Sequence, residues 1–141
     1  MKLNDAARAL IGQGADATLV TLNADGSPQV SLVWVAVRTG PDGSDELVTA
    51  HRAERKKVRN IRRDGRVALA IVAPDSAAPL TPYLLITGIG RVEEGGAPEL
   101  LSELAATLYK GDGEFPPKDT APGFITHIRI DSVGGVGPWA R

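Results

Sequence analysis

The sequence predicts a mainly β domain, a small barrel of about six antiparallel strands with two or three helices over its openings. Three observations carry that prediction. Short β-branched and apolar runs recur between clusters of Gly, Pro, Asn and Asp. Helical spacing is confined to a few short stretches. The 141 residues, 43% of them hydrophobic, suffice for a single core. No repeat or linker interrupts the chain, so residues 1–141 are read as one domain.

Asn4 or Asp5 is placed to cap a short helix through Leu10 and Ile11, with Gly12 and Gly14 as stop signals. Ala17–Leu22 reads as a strand, Asn23-Ala24-Asp25-Gly26 as a turn, and Gln29–Val37 as a longer strand. Alternation puts Val30, Leu32, Trp34 and Ala36 on one face of it, and Gln29, Ser31, Val33 and Val35 on the other. A second turn, Thr39–Gly43, precedes a short strand, Glu46–Ala50. A helix is expected from about Ala53 to Arg63, closed at Asp64-Gly65 with the glycine left-handed. Arg66–Val72 is a buried-looking strand. Pro74, Pro79 and Pro82 mark a loop before the strand Tyr83–Val92. Pro98–Tyr109 carries Leu100, Leu101, Leu104 and Leu108 at helical spacing. Lys110–Gly123 is a Pro/Gly/Asp-rich loop, and Phe124–Val133 alternates as a strand.

The formal net charge is −1, which gives no case for a nucleic-acid partner or an acidic membrane. Its distribution is uneven. Residues 52–66 hold eight of the sixteen basic residues and only two acids, Glu54 and Asp64, a net +6 against −7 elsewhere. The absence of cysteine removes disulfides, thiolate metal sites and cysteine nucleophiles. Asp5 stands where a signal peptide needs an apolar core, and no apolar run approaches a membrane span, so a cytoplasmic protein is expected.

Within the basic segment, Arg52–Lys56 and Arg55–Arg59 are like-charge pairs at i, i+4, which repel by a few tenths of a kcal/mol. A bound anion near the helix N-terminus would offset that repulsion. A plain basic surface helix fits the pattern equally well. Gln29 and Ser31 interrupt an apolar run and offer hydrogen bonds to a ring or polyol chain, or simply face water. His51 and His127 lack the spacing of a metal site, so no metal is expected. Trp34 and Trp139 are read as core or dimer-interface residues, with stacking on an aromatic cofactor the alternative for Trp139. Arg141 is left between pairing with a ligand carboxylate and fraying. No Rossmann, P-loop or nucleophile-elbow motif occurs. With 4% aromatic residues and none in the basic segment, base stacking on nucleic acid has little support.

The segment from His51 to Leu69, with its Arg55-x-Lys57-x-x-Asn60 core, resembles the phosphate-binding segment of the pyridoxamine 5′-phosphate oxidase-like proteins. It is most similar to their deazaflavin (coenzyme F420)-dependent branch. Asn23–Ser31 is similar to that family's first hairpin, and the likeness spans nearly the whole chain, weakest over residues 110–122. The resemblance implies an FMN-binding-like split β-barrel, a homodimer with cofactor sites at the subunit interface, and a small-molecule substrate. Arg55, Lys56 and Lys57 would hold the cofactor phosphate and Asn60 would support it. Gln29 and Ser31 would line the cofactor on the second strand, and Thr49, Ala50 and His51 on the third. The cofactor is expected to be F420, with FMN the alternative, because a +6 segment suits the more anionic ligand. The Arg and Ala/Gly richness also resembles that of high-GC bacteria that make F420. The chain ends Gly137-Pro138-Trp139-Ala140-Arg141 where the vitamin B6 oxidases carry an Arg-Leu-x-Pro pattern, which argues against that activity. Hydride transfer to a quinone or enone is expected; the catalytic residues are unknown, with water, His51 and Tyr83 the possible proton donors.

Overall fold

The computed structural model describes residues 1–73 and 77–140; Pro74 and Arg141 therefore lie outside the described residues. Six antiparallel strands close into a barrel in the order β1-β2-β3-β6-β5-β4. They are β1 (Ala15–Leu22), β2 (Pro28–Thr39), β3 (Asp45–His51), β4 (Arg66–Val72), β5 (Tyr83–Glu94) and β6 (Phe124–Val136). Three helices accompany them: α1 (Asp5–Ile11), α2 (Lys56–Arg63) and α3 (Ala97–Leu108). No helix among the described residues is long and apolar enough to cross a membrane.

Strand alternation decides what fills the barrel. Leu19, Val35, Leu47, Leu69, Leu84, Ile86 and Ile128 point inward and are essentially fully buried. Each such side chain contributes roughly 2 kcal/mol of burial. Asn4 caps α1 by accepting the Ala7 N–H at 2.9 Å, and α1 lays Ala7 and Ile11 on this core at the end where β3 begins. There Asp45 accepts the Leu3 N–H at 2.8 Å and pairs with Arg8. At the other end α2 buries Val58, Asn60 and Ile61. On the outside, α3 sets Leu100 and Leu104 against Ala36 and Val48, forming a second apolar cluster.

Three expectations are corrected. The second helix begins at Lys56, not Ala53, with Arg55 as an extended N-cap. Gly65 is not left-handed: Asp64 leaves the helix at φ −145°, and Gly65 is absent from the residues with positive φ. Its glycine is required by proximity instead, because a Cβ there would stand 2.7 Å from the Gly90 carbonyl oxygen. β6 also runs three residues past the expected Val133, continuing through Gly134 and Gly135 opposite Leu85 and Leu84. Trp139 is buried in the core and donates its indole N–H to the Tyr83 carbonyl at 2.7 Å, so it packs.

Candidate functional site

The barrel is weakly closed between β2 and β3. These strands pair only from Ala36–Val48 to Thr39–Asp45. Before Ala36, β2 is paired with β1 alone, and beyond Val48, β3 is paired with β6 alone. The two facing edges therefore carry backbone N–H and C=O groups outside the ladder, which demand other partners. A cavity of ≈ 220 Å³ occupies this split. Leu32 and Trp34 of β2, Ala50 of β3, Leu101 of α3 and Phe115 of the 109–123 loop line it. Lys57 brings a charge to its edge.

That charge belongs to a group. α2 starts without a side-chain cap, so its first N–H groups face outward with the positive end of the helix dipole. Of the eight basic residues in the segment, four are engaged. Arg59 donates to the Glu54 carbonyl at 3.0 Å, Arg62 pairs with Glu54 at 3.1 Å, Arg63 bonds the Leu22 carbonyl and Asn60, and Arg66 pairs with Asp64 at 2.7 Å. Arg52, Arg55, Lys56 and Lys57 have no carboxylate within ion-pair distance among the described residues, and all four lie at the β3–α2 junction. Burial, with Arg55 adding its repulsion, lowers the Lys57 pKa, so an anion there would restore the stability of its charge. Chemically, this is a cationic rim beside an apolar, partly aromatic slot.

Asn60 lies beneath that rim, 3% exposed. Its amide donates to Thr21 Oγ1 at 3.1 Å and to Asn23 Oδ1 at 3.0 Å, and its oxygen accepts from Arg63 at 3.3 Å. Thr21 in turn donates to Gln29 Oε1 at 2.9 Å. Asn60 and Gln29 thus fasten α2 to the β1–β2 hairpin from within and fix where Arg55 and Lys57 stand. Asn60→Ala is expected to lose about 1.5 kcal/mol of stability, the cost of leaving buried partners unpaired. Urea unfolding of both proteins checks this.

The interior face of the split is polar as well. Ser31 Oγ, Thr49 Oγ1 and His51 Nδ1 are enclosed without a hydrogen-bond partner among the described residues. His51 Nε2 meets Thr126 Oγ1 at 2.8 Å. Burial, with the Lys57 charge adding to it, pushes the His51 pKa down to about 4. Its imidazole is therefore neutral at neutral pH, a poor proton donor. Tyr83 is on the outer face of β5 and takes no part in the cavity wall.

The structure thus gathers the sequence-picked residues around one end of the barrel in two sets. Ala50 and Lys57 line the cavity, with Arg55 and Lys56 beside it; Gln29, Ser31, Thr49, His51 and Asn60 form the layer beneath. Phe115 and Leu101 stand outside the residues that the sequence singles out for the site, and Trp34 reads there as a core or dimer-interface residue. Trp34 lines the cavity, and Phe115 meets it edge-on at 5.6 Å. The available signal was scarcity: the chain has only six aromatic residues. No group of three or more His, Asp or Glu suited to a metal ion occurs among the described residues.

Comparison with known proteins agrees with this architecture. The family model described as pyridoxamine 5′-phosphate oxidase matches residues 3–130. A structure named F420 reductase is 26% identical with a TM-score of 0.73, over 90% of this chain and 94% of that one. The HupZ protein of Group A Streptococcus is 15% identical, TM-score 0.66, over 98% of this chain and 97% of its own. An FMN-binding protein from Syntrophomonas wolfei is 15% identical, TM-score 0.67, covering 93% of this chain and 84% of that chain. The last two likenesses concern the fold alone. Among curated proteins no match was found.

Proposed function

Because the chain belongs to the pyridoxamine 5′-phosphate oxidase family, we propose that it is an F420H2-dependent reductase, delivering a hydride to an electron-poor small-molecule acceptor. The observation that carries this reading is the cluster of four cations, Arg52, Arg55, Lys56 and Lys57, that have no carboxylate partner among the described residues, at an uncapped helix start beside the split. Such a donor set fits a phosphate, which accepts charged hydrogen bonds and favours a helix N-terminus. Arg55, Lys56 and Lys57 would hold it, and Asn60 would keep the helix in place beneath. Ala50 and the free edges of β2 and β3 would border the ring, with Gln29, Ser31, Thr49 and His51 supporting those edges from inside.

When bound in its reduced form, the coenzyme supplies the hydride. The chain's part is to hold, orient and desolvate, so the reading requires no paired acid and base in the split. Four cations exceed what one phosphate needs, which favours the deazaflavin, whose glutamyl tail adds carboxylates, over FMN. The 26% identical F420 reductase supports the same choice.

The reading includes a homodimer. Val30 and Leu32 on β2 and Val72 on β4 are 60%, 70% and 54% exposed on the outer sheet face, an apolar area a second copy would cover. Leu32 also lines the cavity, so the cover and the site are continuous. Leu32→Glu is expected to weaken dimerisation at least about tenfold by burying a charge; sedimentation velocity across a concentration series reads this.

Titration of the purified protein with oxidised F420 and, in parallel, FMN tests the function. Micromolar or tighter binding of F420 with little for FMN supports it. Preference for FMN makes the protein an FMN-binding oxidoreductase of the same fold, and binding of neither overturns the proposal. If F420 binds but no quinone or enone is turned over, the protein is a carrier of the coenzyme.

A further inference from the structure

Three of the chain's six aromatic residues meet at the split. Phe115, half-buried, stacks on Tyr109 at 4.8 Å and 22°, and meets Trp34 edge-on at 5.6 Å and 67°. The Arg52 guanidinium lies 5.8 Å from the Phe115 ring centroid. The loop holding Phe115 is tied down. Pro116 is buried, the Ala97 N–H donates to the Pro122 carbonyl at 2.9 Å, and the Gly95 N–H donates to the Gly123 carbonyl at 2.7 Å. Gly123, at φ +59°, approaches β3 so closely that a Cβ would stand 2.2 Å from the His51 carbonyl oxygen. Phe115 is therefore presented to the cavity from a fixed support.

Aliphatic residues would close an apolar slot equally well, and Leu32 and Leu101 already line it. What Trp34 and Phe115 add is a pair of π-systems, which discriminate by ring geometry and electron demand as well as by apolar area. We propose that Phe115 is a specificity-determining residue, forming with Trp34 a wall that selects flat, electron-poor fused rings over non-planar molecules of similar polarity. The inference rests on the split being the redox site. The ring it selects is that of the cofactor or that of the acceptor, which share this chemistry.

Phosphate-free probes separate these sources and leave the cationic rim out of the measurement. Lumiflavin stands for the cofactor ring, menadione for the acceptor ring, and 2-cyclohexen-1-one for a non-planar acceptor. Each is titrated calorimetrically into wild type, Phe115→Leu and Phe115→Tyr. Leucine keeps apolar bulk and removes the ring; tyrosine keeps the ring. The expected result is a loss of about fivefold in Phe115→Leu for lumiflavin or menadione, the size of an aromatic pair contribution. Phe115→Tyr should stay near wild type, and cyclohexenone should change least. The flat ring that responds identifies the source. Equal losses for all three probes, no loss in Phe115→Leu, or no binding of either flat ring to wild type would overturn the inference. A protein that binds lumiflavin through Phe115 but neither phosphate-bearing cofactor would keep the wall and lose the proposed function.

Discussion

The double variant Arg55→Ala, Lys57→Ala is expected to bind oxidised F420 at least about thirtyfold more weakly, a loss of about 2 kcal/mol or more. The charges already engaged decide the size of this loss. Arg66 is tied to Asp64, and Arg62 to Glu54 and Glu94, so they have less to offer an incoming anion. Arg55 and Lys57 have no such partner among the described residues, and Lys57 is held partly out of water at the cavity edge. A charged hydrogen bond made there is screened less than one on the open surface. Removing two mutually repelling cations should not lower the melting temperature, which separates lost affinity from lost fold. Arg66→Ala serves as the control, with little change expected. Fluorescence titration at low and moderate salt measures both effects; unchanged affinity in the double variant would remove the phosphate from this helix.

Much of this site could be read in the sequence because its signals are local. A run of basic residues announces a segment that needs an anion or open water, although Arg52 and Arg55 precede α2 and so do not form helical i, i+4 pairs, and alternation along 29–36 already divided Gln29 and Ser31 from Leu32 and Trp34. What alternation cannot give is the partner of each face. Whether the outward face of β2 meets water, a helix or a loop depends on α3 and on Phe115, some eighty residues away. Separation along the chain also hid the division of the basic segment, since Arg63 is engaged by the Leu22 carbonyl and Arg62 by Glu94 of β5. Gly65 failed for a related reason. Its local context, after Asp64 at a helix end, is that of a left-handed cap, but the close passage of β5 at Gly90 decides its role. Phe115 sits in a stretch without periodicity, where position relative to the barrel is set by tertiary anchors at Pro122 and Gly123.

Stability should fall by about 3 kcal/mol as the pH is lowered from 6.5 to 4, through His51 alone. The imidazole is buried, and burial, assisted by Lys57, depresses its pKa from 6.5 to about 4. Between those values the unfolded chain takes up a proton that the folded chain refuses. Acid therefore favours the unfolded state across this window; above 6.5 His51 contributes no pH dependence, and below about 4 the loss is complete. Other groups titrate in the same range, so the measurement is a difference. Urea midpoints of wild type and His51→Gln are compared at pH 7, 5.5 and 4, and the gap between them should move by about 3 kcal/mol in favour of the variant as the pH falls. Glutamine can still hydrogen-bond Thr126, so the comparison removes the titration and keeps a polar partner. A constant gap would mean that His51 takes up its proton in the folded protein over the same pH range as in the unfolded chain. The imidazole would then add a positive charge beneath Lys57, and the rim would need an anion even more strongly to be stable.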